Sequence, residues 1–327
     1  MIASGDTGFV CTPQTNLSER IITVAQCLPV QHRHRPTPLR SLYNNSRVPG
    51  CHSAPVKESI YLILLILFTA LACQGCTISL EKTASILSMT AATVDGNPFL
   101  HRVFTLPHTG ENPTTVKIFI VDGDGRAFID RTKVASDPTA NSSSLLAMAT
   151  ALADLGNVVY LGRPCYHQLN DPNCNPTYWT LARFSPEVVQ SSVAATRRLV
   201  QEGDRVYLLG YSGGGVIAML MARELKSQVF GVVTFGSPLD HRAWTQFHGY
   251  TPLSLSQNPA QNVESFFDFC QTHLIGTRDK VVPASLSRTW GWLPYKDSNY
   301  LDSDHYCCWQ QSALEALEKQ IKNCAGD

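Results

Sequence analysis

The chain has 327 residues, 44% of them hydrophobic, and its 26 Lys and Arg balance its 26 Asp and Glu. Residues 1–76 hold six basic and three acidic residues, so residues 77–327 hold 26 − 6 = 20 basic and 26 − 3 = 23 acidic residues. This balance excludes the large basic surface of a nucleic-acid-binding protein. Residues 77–327 are numerous enough to form one domain with a sizeable core.

The first 76 residues differ in character from the rest. Residues 1–55 are rich in Pro, Ser, Arg and His without periodicity, which predicts an unstructured segment. Residues 60–73 form an apolar run that is shorter than the roughly 20 residues of a membrane-spanning helix and is typical of a signal peptide. Val56 is a plausible true start, because bacteria also initiate at a GTG codon. We therefore expect residues 1–55 to be an over-extended start and residues 56–76 a signal peptide; an uncleaved anchor with a basic tail is the alternative.

Two cysteines close the apolar run and are candidates for lipidation. Cys73 follows Ala-Leu-Ala, and Cys76 follows Cys-Gln-Gly. Both resemble a bacterial lipobox, in which the cysteine thiol is diacylated, although Leu71 and Cys73 are not the residues most usual at their positions in the two patterns. Lipidation at either cysteine predicts a lipoprotein anchored to a membrane of the bacterial cell envelope, facing the periplasm or the exterior.

Strand-like and helix-like segments alternate beyond residue 98. The predicted strands are 99–106, 116–121, 158–161, 206–209, 229–235 and 272–275; the predicted helices are 143–155 (capped by Asn141 or Ser142), 185–201, 216–225 and 313–322. This alternation predicts an α/β fold, a mostly parallel sheet with helices on both faces, over residues 77–327. Residues 236–262 lack a clean period and are either a cap or lid or a plain surface loop.

The segment Gly-Tyr-Ser-Gly-Gly at 210–214 joins a predicted strand to a predicted helix. A strand that ends at a glycine, turns over one serine and continues as a helix has the G-x-S-x-G pattern of a nucleophile elbow. The glycines are needed because a Cβ at the flanking positions would clash with the neighbouring strand or helix. Glycine-rich turns in other proteins bind phosphate or serve only for packing. If this turn is a nucleophile elbow, Ser212 is the nucleophile.

An acid and a base that could activate Ser212 follow it in the chain. Asp279 lies just past the predicted strand 272–275, where open α/β sheets carry their sites. His305 lies ahead of the last predicted helix. His305 would take the proton from Ser212 and pass it to the leaving group, and Asp279 would fix the tautomer of the imidazole ring.

Two other carboxylates compete with Asp279 for this role. Asp302 and Asp304 lie three residues and one residue before His305. A side chain adjacent in sequence tends to diverge from the imidazole ring, so we expect Asp279 to be the acid.

The loop after the predicted strand 116–121 is a candidate oxyanion hole. It reads Asp-Gly-Asp-Gly from Asp122, and its backbone could donate one N–H through Gly123 or Asp124, while Gly213 donates the second. The same four residues resemble the start of an EF-hand calcium loop. The twelfth position of that loop is Lys133 rather than an acidic residue, so calcium binding is not expected.

Six cysteines follow Cys76, which fits an exported protein: Cys165, Cys174, Cys270, Cys307, Cys308 and Cys324. A bridge between Cys165 and Cys174 would staple a Pro- and Asn-rich loop. A second bridge would join Cys307 or Cys308 to Cys324 or Cys270, with a buried free thiol as the alternative for Cys270. No cysteine or histidine spacing indicates zinc, and no metal site is expected.

Several segments together resemble a known family over about residues 100–309. They are Gly-Asp-Gly-Arg at 123–126, the stretch 162–180, Tyr-Ser-Gly-Gly-Gly at 211–215, Leu-Asp-His at 239–241 with Ala-Trp-Thr at 243–245, and Asp-His-Tyr-Cys-Cys-Trp at 304–309. The region resembles the α/β-hydrolase superfamily, in which the triad also follows the order Ser, Asp, His. It is particularly similar to a bacterial lipoprotein-type group. The resemblance implies hydrolase activity and the same triad, without fixing the substrate.

These observations predict a serine hydrolase of the esterase or lipase type that acts on an ester or related small acyl compound. No cofactor is implied, because the nucleophile is the protein's own serine. Two alternatives stay open: a peptidase on the same fold, and a non-catalytic, membrane-anchored binding lipoprotein. The complete Ser, Asp and His set argues against the binding protein, since binding alone does not require all three.

Overall fold

An eight-stranded sheet forms the centre of the computed structural model. The structure describes residues 79–327 except 131, 141, 267–268, 291–297 and 325–327, all within one compact unit, Gly75–Asp327. The predicted unstructured segment, the signal peptide and the lipidation candidates Cys73 and Cys76 lie outside the described residues. None of the helices in the described part of the chain is both long and apolar enough to span a membrane.

Strands and helices alternate along most of the described chain. The strands are β1 (Thr90–Asp95), β2 (Leu100–Leu106), β3 (Val116–Val121), β4 (Asn157–Leu161), β5 (Arg205–Tyr211), β6 (Val229–Phe235), β7 (Cys270–Gly276) and β8 (Ser298–Leu301). The helices are α1 (Leu80–Ile86), α2 (Ser143–Leu152), α3 (Pro186–Leu199), α4 (Gly213–Leu225), α5 (His241–His248) and α6 (Gln310–Asn323). Short 3-10 helices lie at Pro176–Trp179, Lys226–Gln228, Pro259–Gln261, Val263–Phe266 and Ala284–Trp290.

The strand order across the sheet is β1-β2-β4-β3-β5-β6-β7-β8. β2 runs antiparallel to both β1 and β4, and every other neighbouring pair is parallel. The parallel strands bring their carboxyl ends to one edge of the sheet. The predicted fold class, a mostly parallel α/β sheet, is confirmed.

Helices cover both faces of this sheet, as predicted. Successive side chains of a strand point to opposite faces. In β5, Val206 and Leu208 pack with α3 and α4 in one buried cluster. Tyr207 and Leu209, on the other face, pack with α2 and α6 in a second cluster. The central strand is therefore buried on both sides, which explains its nearly continuous apolar sequence.

Helix α3 begins at the signals that predicted it, whereas α2 does not. The Ser185 hydroxyl accepts the Val188 N–H at 3.4 Å, and proline occupies the first turn of α3. Ser142, one of the two predicted caps of α2, makes no side-chain capping bond. Its hydroxyl donates to the Asp122 carboxylate at 2.7 Å instead. The other predicted cap, Asn141, lies outside the described residues.

The segment predicted as a cap, lid or loop, 236–262, contains helix α5. Asp240 caps this helix by accepting the Ala243 N–H at 3.2 Å, and Gly249 ends it with φ 63°. The indole of Trp244 donates to the Val281 carbonyl at 2.7 Å, and His248 Nε2 lies 2.9 Å from the same oxygen. Helix α5 therefore holds the loop that follows β7 in place through these two contacts. Whether the segment acts as a lid stays a prediction.

Three disulfides connect the six cysteines of the described domain. The predicted Cys165–Cys174 bridge is present. The second pairing was predicted wrongly: Cys270 at the start of β7 bonds to Cys324 at the end of α6, and Cys307 bonds to its neighbour Cys308. Helix α6 packs back against the sheet and brings Cys324 to β7, a placement that spacing alone does not reveal. The Cys270–Cys324 bridge joins residues 54 positions apart. By restricting the unfolded chain, a bridge of this span stabilises the folded state by up to about 4 kcal/mol.

Candidate active site

Ser212 occupies the tight turn between β5 and α4, with the left-handed backbone conformation φ 51°, ψ −126°. Its N–H donates to the Phe235 carbonyl of the neighbouring strand at 2.9 Å. A non-glycine residue in this region costs on the order of 1–3 kcal/mol and persists only where the surroundings enforce it. The turn therefore has the geometry predicted for a nucleophile elbow.

The flanking glycines allow backbones to approach closely around Ser212. A Cβ on Gly210 would overlap with the Gly215 Cα and lie 2.6 Å from the Gly214 carbonyl oxygen. A Cβ on Gly214 would overlap with the carbonyl oxygens of Val121 and Asp122 at the end of β3. The Gly-x-Ser-x-Gly pattern is thus required by packing on both sides of the serine.

The structure brings the predicted base and acid into line with Ser212. His305 Nε2 lies 3.2 Å from Ser212 Oγ, and His305 Nδ1 lies 2.7 Å from Asp279 Oδ2. Asp279 and His305 are both buried, 4% and 5% exposed. With Nδ1 donating its proton to the carboxylate, Nε2 is left to accept the proton of the serine hydroxyl.

Backbone donors hold the Asp279 carboxylate in place. Its Oδ1 accepts the N–H groups of Val281 at 2.8 Å and Val282 at 2.7 Å, while its Oδ2 faces His305. Both oxygens of the carboxylate are occupied, so its orientation toward the imidazole is fixed.

The loop that carries His305 is fixed through its own backbone. The His305 carbonyl accepts the Tyr211 hydroxyl at 2.8 Å and the Trp309 indole N–H at 3.0 Å. The Tyr211 ring also lies against the imidazole, with 5.2 Å between ring centroids. Tyr211 precedes the nucleophile in the chain, so the elbow and the histidine loop are connected directly.

The two competing carboxylates contact other groups. Asp302 accepts from Arg278 Nε at 2.6 Å in an exposed ion pair. Asp304 Oδ1 accepts the backbone N–H groups of Tyr306 and Cys307, each at 2.9 Å, and so stabilises the turn after it. Neither of the two is the carboxylate that bonds the His305 ring.

The predicted oxyanion loop lies directly against the elbow. A Cβ on Gly123 would lie 3.3 Å from Ser212 Cβ, and a Cβ on Gly213 would overlap with the Asp124 carboxylate. The Gly123 N–H, one of the two predicted first donors, donates to Asp122 Oδ1 at 2.7 Å. Among the described residues, the N–H groups of Asp124 and Gly213 have no protein acceptor. These two are the pair left to meet a developing oxyanion.

Two buried arginines, absent from the sequence prediction, hold the Asp124 side chain. Arg163 Nη1 donates to Asp124 Oδ1, and Arg183 Nη1 donates to Oδ2 at 3.0 Å. Burial alone would raise the pKa of the Asp124 carboxyl, but Arg183 and Arg163 outweigh it, and the pKa lies below its ordinary value. No local pattern links these residues, because they lie 39 and 59 positions from Asp124.

Asp122 anchors the other side of the same loop. Its carboxylate accepts from the Ser142 hydroxyl at 2.7 Å, from the Tyr160 hydroxyl and from the Gly123 N–H. Burial raises the pKa of the Asp122 carboxyl above its ordinary value, and these hydrogen bonds oppose the shift. Asp122 thus fixes the loop to the residue before α2 and to β4.

Solved structures share this arrangement of sheet and helices. Est1E from Butyrivibrio proteoclasticus matches with a TM-score of 0.51 and 14% identity over 71% of this chain and 99% of its own. The Pyrococcus furiosus esterase Pf2001 matches with a TM-score of 0.51 and 14% identity over 74% and 94%. The chain has the α/β-hydrolase fold.

A third structure with this fold is a Mycobacterium tuberculosis puromycin-hydrolyzing peptidase. It matches with a TM-score of 0.50 and 15% identity over 73% of this chain and 40% of its own. No protein-family model matches this sequence, and no curated protein matches it. At these identities the likeness concerns the α/β-hydrolase fold, and the chemistry must be argued from the site itself.

Replacing each carboxylate near His305 separates the acid from its competitors. Asp279→Asn should lower kcat by up to about 10⁴-fold, because an amide in this position favours the wrong imidazole tautomer. Asp302→Asn and Asp304→Asn, the matched controls, should lower it by less than about tenfold. Ester turnover of the three variants, with circular dichroism to verify folding, provides the measurement. Strong loss in Asp304→Asn with a silent Asp279→Asn would make the acid assignment wrong.

Proposed function

We propose that the protein is a serine hydrolase of the esterase type that cleaves a small acyl ester. The observation that carries this proposal is the hydrogen-bonded series from Ser212 Oγ through His305 to Asp279, with distances of 3.2 and 2.7 Å. The serine at which the series begins lies in a strained strand-to-helix turn. A binding protein has no need of an aligned nucleophile, base and acid.

In the first half-reaction, Ser212 Oγ attacks the acyl carbon while its proton moves to His305 Nε2. The negative charge that develops on the acyl oxygen is accepted by the N–H groups of Gly213 and Asp124. The bond to the leaving group then breaks, and His305 gives its proton to the departing oxygen. The product alcohol leaves, and the acyl group stays on Ser212 as an ester.

In the second half-reaction, water takes the place of the alcohol. His305 removes a proton from the water as it attacks the acyl carbon of the Ser212 ester, and the same N–H groups accept the oxyanion. Collapse of this intermediate returns the proton from His305 to Ser212 Oγ and releases a carboxylic acid. Asp279 stabilises the imidazolium that forms in each step. No cofactor takes part in either step.

Esters are the proposed substrates, and amides are the alternative. An alkoxide leaves more readily than an amide nitrogen, and the same triad and oxyanion donors serve both reactions. Comparing the rate enhancement over uncatalysed hydrolysis for a p-nitrophenyl ester and a p-nitroanilide of the same acyl group distinguishes the two. A larger enhancement for the ester supports the proposal, and a larger enhancement for the anilide supports a peptidase.

Loss of the Ser212 hydroxyl tests the nucleophile. Ser212→Ala should reduce p-nitrophenyl acetate turnover to near background, with at most about 10³-fold over water remaining from the oxyanion donors and binding. Ser237→Ala is the matched control, because this buried hydroxyl lies against Gly215 and its hydrogen bonds to the Phe235 and Gly210 carbonyls are long, 3.3 and 3.4 Å. Turnover that survives Ser212→Ala would remove the serine from the mechanism.

We further propose that the protein is exported and held at a bacterial membrane by a lipid on Cys73 or Cys76. The signal-peptide-like run ahead of these cysteines supports this, as do the disulfides of the domain, which persist in oxidising compartments.

Radiolabelled palmitate supplied to cells that express the full chain should be incorporated into the protein. Single changes, Cys73→Ser and Cys76→Ser, identify the acceptor, because the label should disappear in only one of the two variants. Equal labelling of the wild type and of the double variant would contradict lipidation at these positions.

A further inference from the structure

We propose that Arg163 and Arg183 are positioning residues that set the oxyanion hole by fixing Asp124. The inference rests on the proposed function, since an oxyanion forms only if Ser212 attacks an acyl carbon. Neither arginine lies in the elbow or in the triad. Both act through Asp124, whose N–H group would donate to the oxyanion together with that of Gly213.

The two arginines hold the Asp124 carboxylate from both sides. Arg163 Nη1 donates to Oδ1, and Arg183 Nη1 donates to Oδ2 at 3.0 Å. Because each oxygen binds a different guanidinium, the carboxylate cannot rotate about χ2 without breaking an ion pair. The carboxylate is held where it covers the Cα of Gly213, the residue after the nucleophile.

Buried contacts hold the two arginine side chains in turn. The Arg163 side chain is 1% exposed, and its guanidinium lies 5.3 Å from the ring centroids of both Tyr166 and Phe184. Its Nη2 donates to the Arg183 carbonyl. The Arg183 side chain is 8% exposed, and its Nε donates to the Thr180 carbonyl at 2.8 Å. The two guanidinium groups are therefore held in fixed positions against the Asp124 carboxylate.

The backbone of Asp124 is fixed from the same side. Its carbonyl accepts the Tyr166 hydroxyl at 3.0 Å, while its side chain is tied to the two arginines. With the carbonyl and the carboxylate both held, the orientation of the preceding peptide N–H is determined. A displacement of about 1 Å in such a group is enough to cost about 10²-fold in rate.

The arginines also compensate for a charge that would otherwise oppose catalysis. An ionised carboxylate beside Gly213 would repel an oxyanion formed at the N–H group of that residue, and this repulsion is strong in a buried site. Two guanidinium groups against one Asp124 carboxylate leave this cluster with one excess positive charge. The other acidic group of the loop, Asp122, accepts hydrogen bonds from Ser142 and Tyr160.

The test compares Arg183→Gln with wild type in the full chain. We expect kcat for p-nitrophenyl acetate to fall about 10²-fold while KM changes by less than about threefold, because the oxyanion exists only beyond the ground state. Phenylboronic acid, which forms a tetrahedral adduct on serine, should bind more weakly, so that its inhibition constant rises by about the factor by which kcat/KM falls. If the arginine served only to keep the protein folded, the variant would lose active molecules and apparent kcat, but the inhibitor affinity of the folded molecules would not change.

Two further variants complete the design. Arg223→Gln is the matched control, because Arg223 is a partly buried arginine paired with Glu224 at the far end of α4. Arg183→Lys retains the positive charge but not the fork geometry, so we expect kcat and boronate affinity between those of wild type and Arg183→Gln. If Arg183→Gln fails to fold, the lysine variant decides.

Wild-type kcat and boronate affinity in whichever Arg183 variant folds would overturn the inference. That result would leave the proposed function standing, because the hydrolase proposal depends on whether ester turnover disappears in Ser212→Ala. Conversely, turnover that persists without Ser212 would remove the proposed function whatever the arginine variants show. The two failures are therefore distinguishable.

Discussion

The left-handed backbone of Ser212 is the constraint on which the rest of the site depends. At φ 51° the serine is strained, and it is held there by its N–H bond to Phe235 in β6 and by the close approach of Gly214 to the end of β3. Both restraints come from the strands that flank β5. The elbow is therefore a property of the three adjacent parallel strands and cannot be formed by the local sequence alone.

The parallel sheet then places every other component at the same edge. Asp124 follows β3, Asp279 follows β7 and His305 follows β8, so residues far apart in sequence meet at the strand ends. The loop that carries His305 is fixed at the His305 carbonyl, which accepts hydrogen bonds from the Tyr211 and Trp309 side chains. The loop that carries Asp279 is fixed at the Val281 carbonyl, which is bonded by side chains of α5. The rigidity of the site comes from these contacts with neighbouring elements.

Much of this arrangement could be predicted, and the rest could not, for physical reasons. The elbow and Asp279 were predictable because chemistry restricts which residues fit a strand-to-helix turn and a strand end. Strands β1 and β8 were missed because they lie at the edges of the sheet, where all of their side chains are exposed or half-buried and no apolar alternation is required. Arg163 and Arg183 were missed because long-range ion pairs leave no local signal.

The central claim is that Ser212 is a nucleophile activated by His305. The most direct measurement is peptide mapping by mass spectrometry after the folded, full-length protein reacts with a fluorophosphonate at neutral pH. The account predicts one phosphonylated residue, Ser212, and much slower labelling of Ser212 in His305→Gln, which lacks the base. An adduct on a different residue, or no adduct in a folded sample, would contradict it.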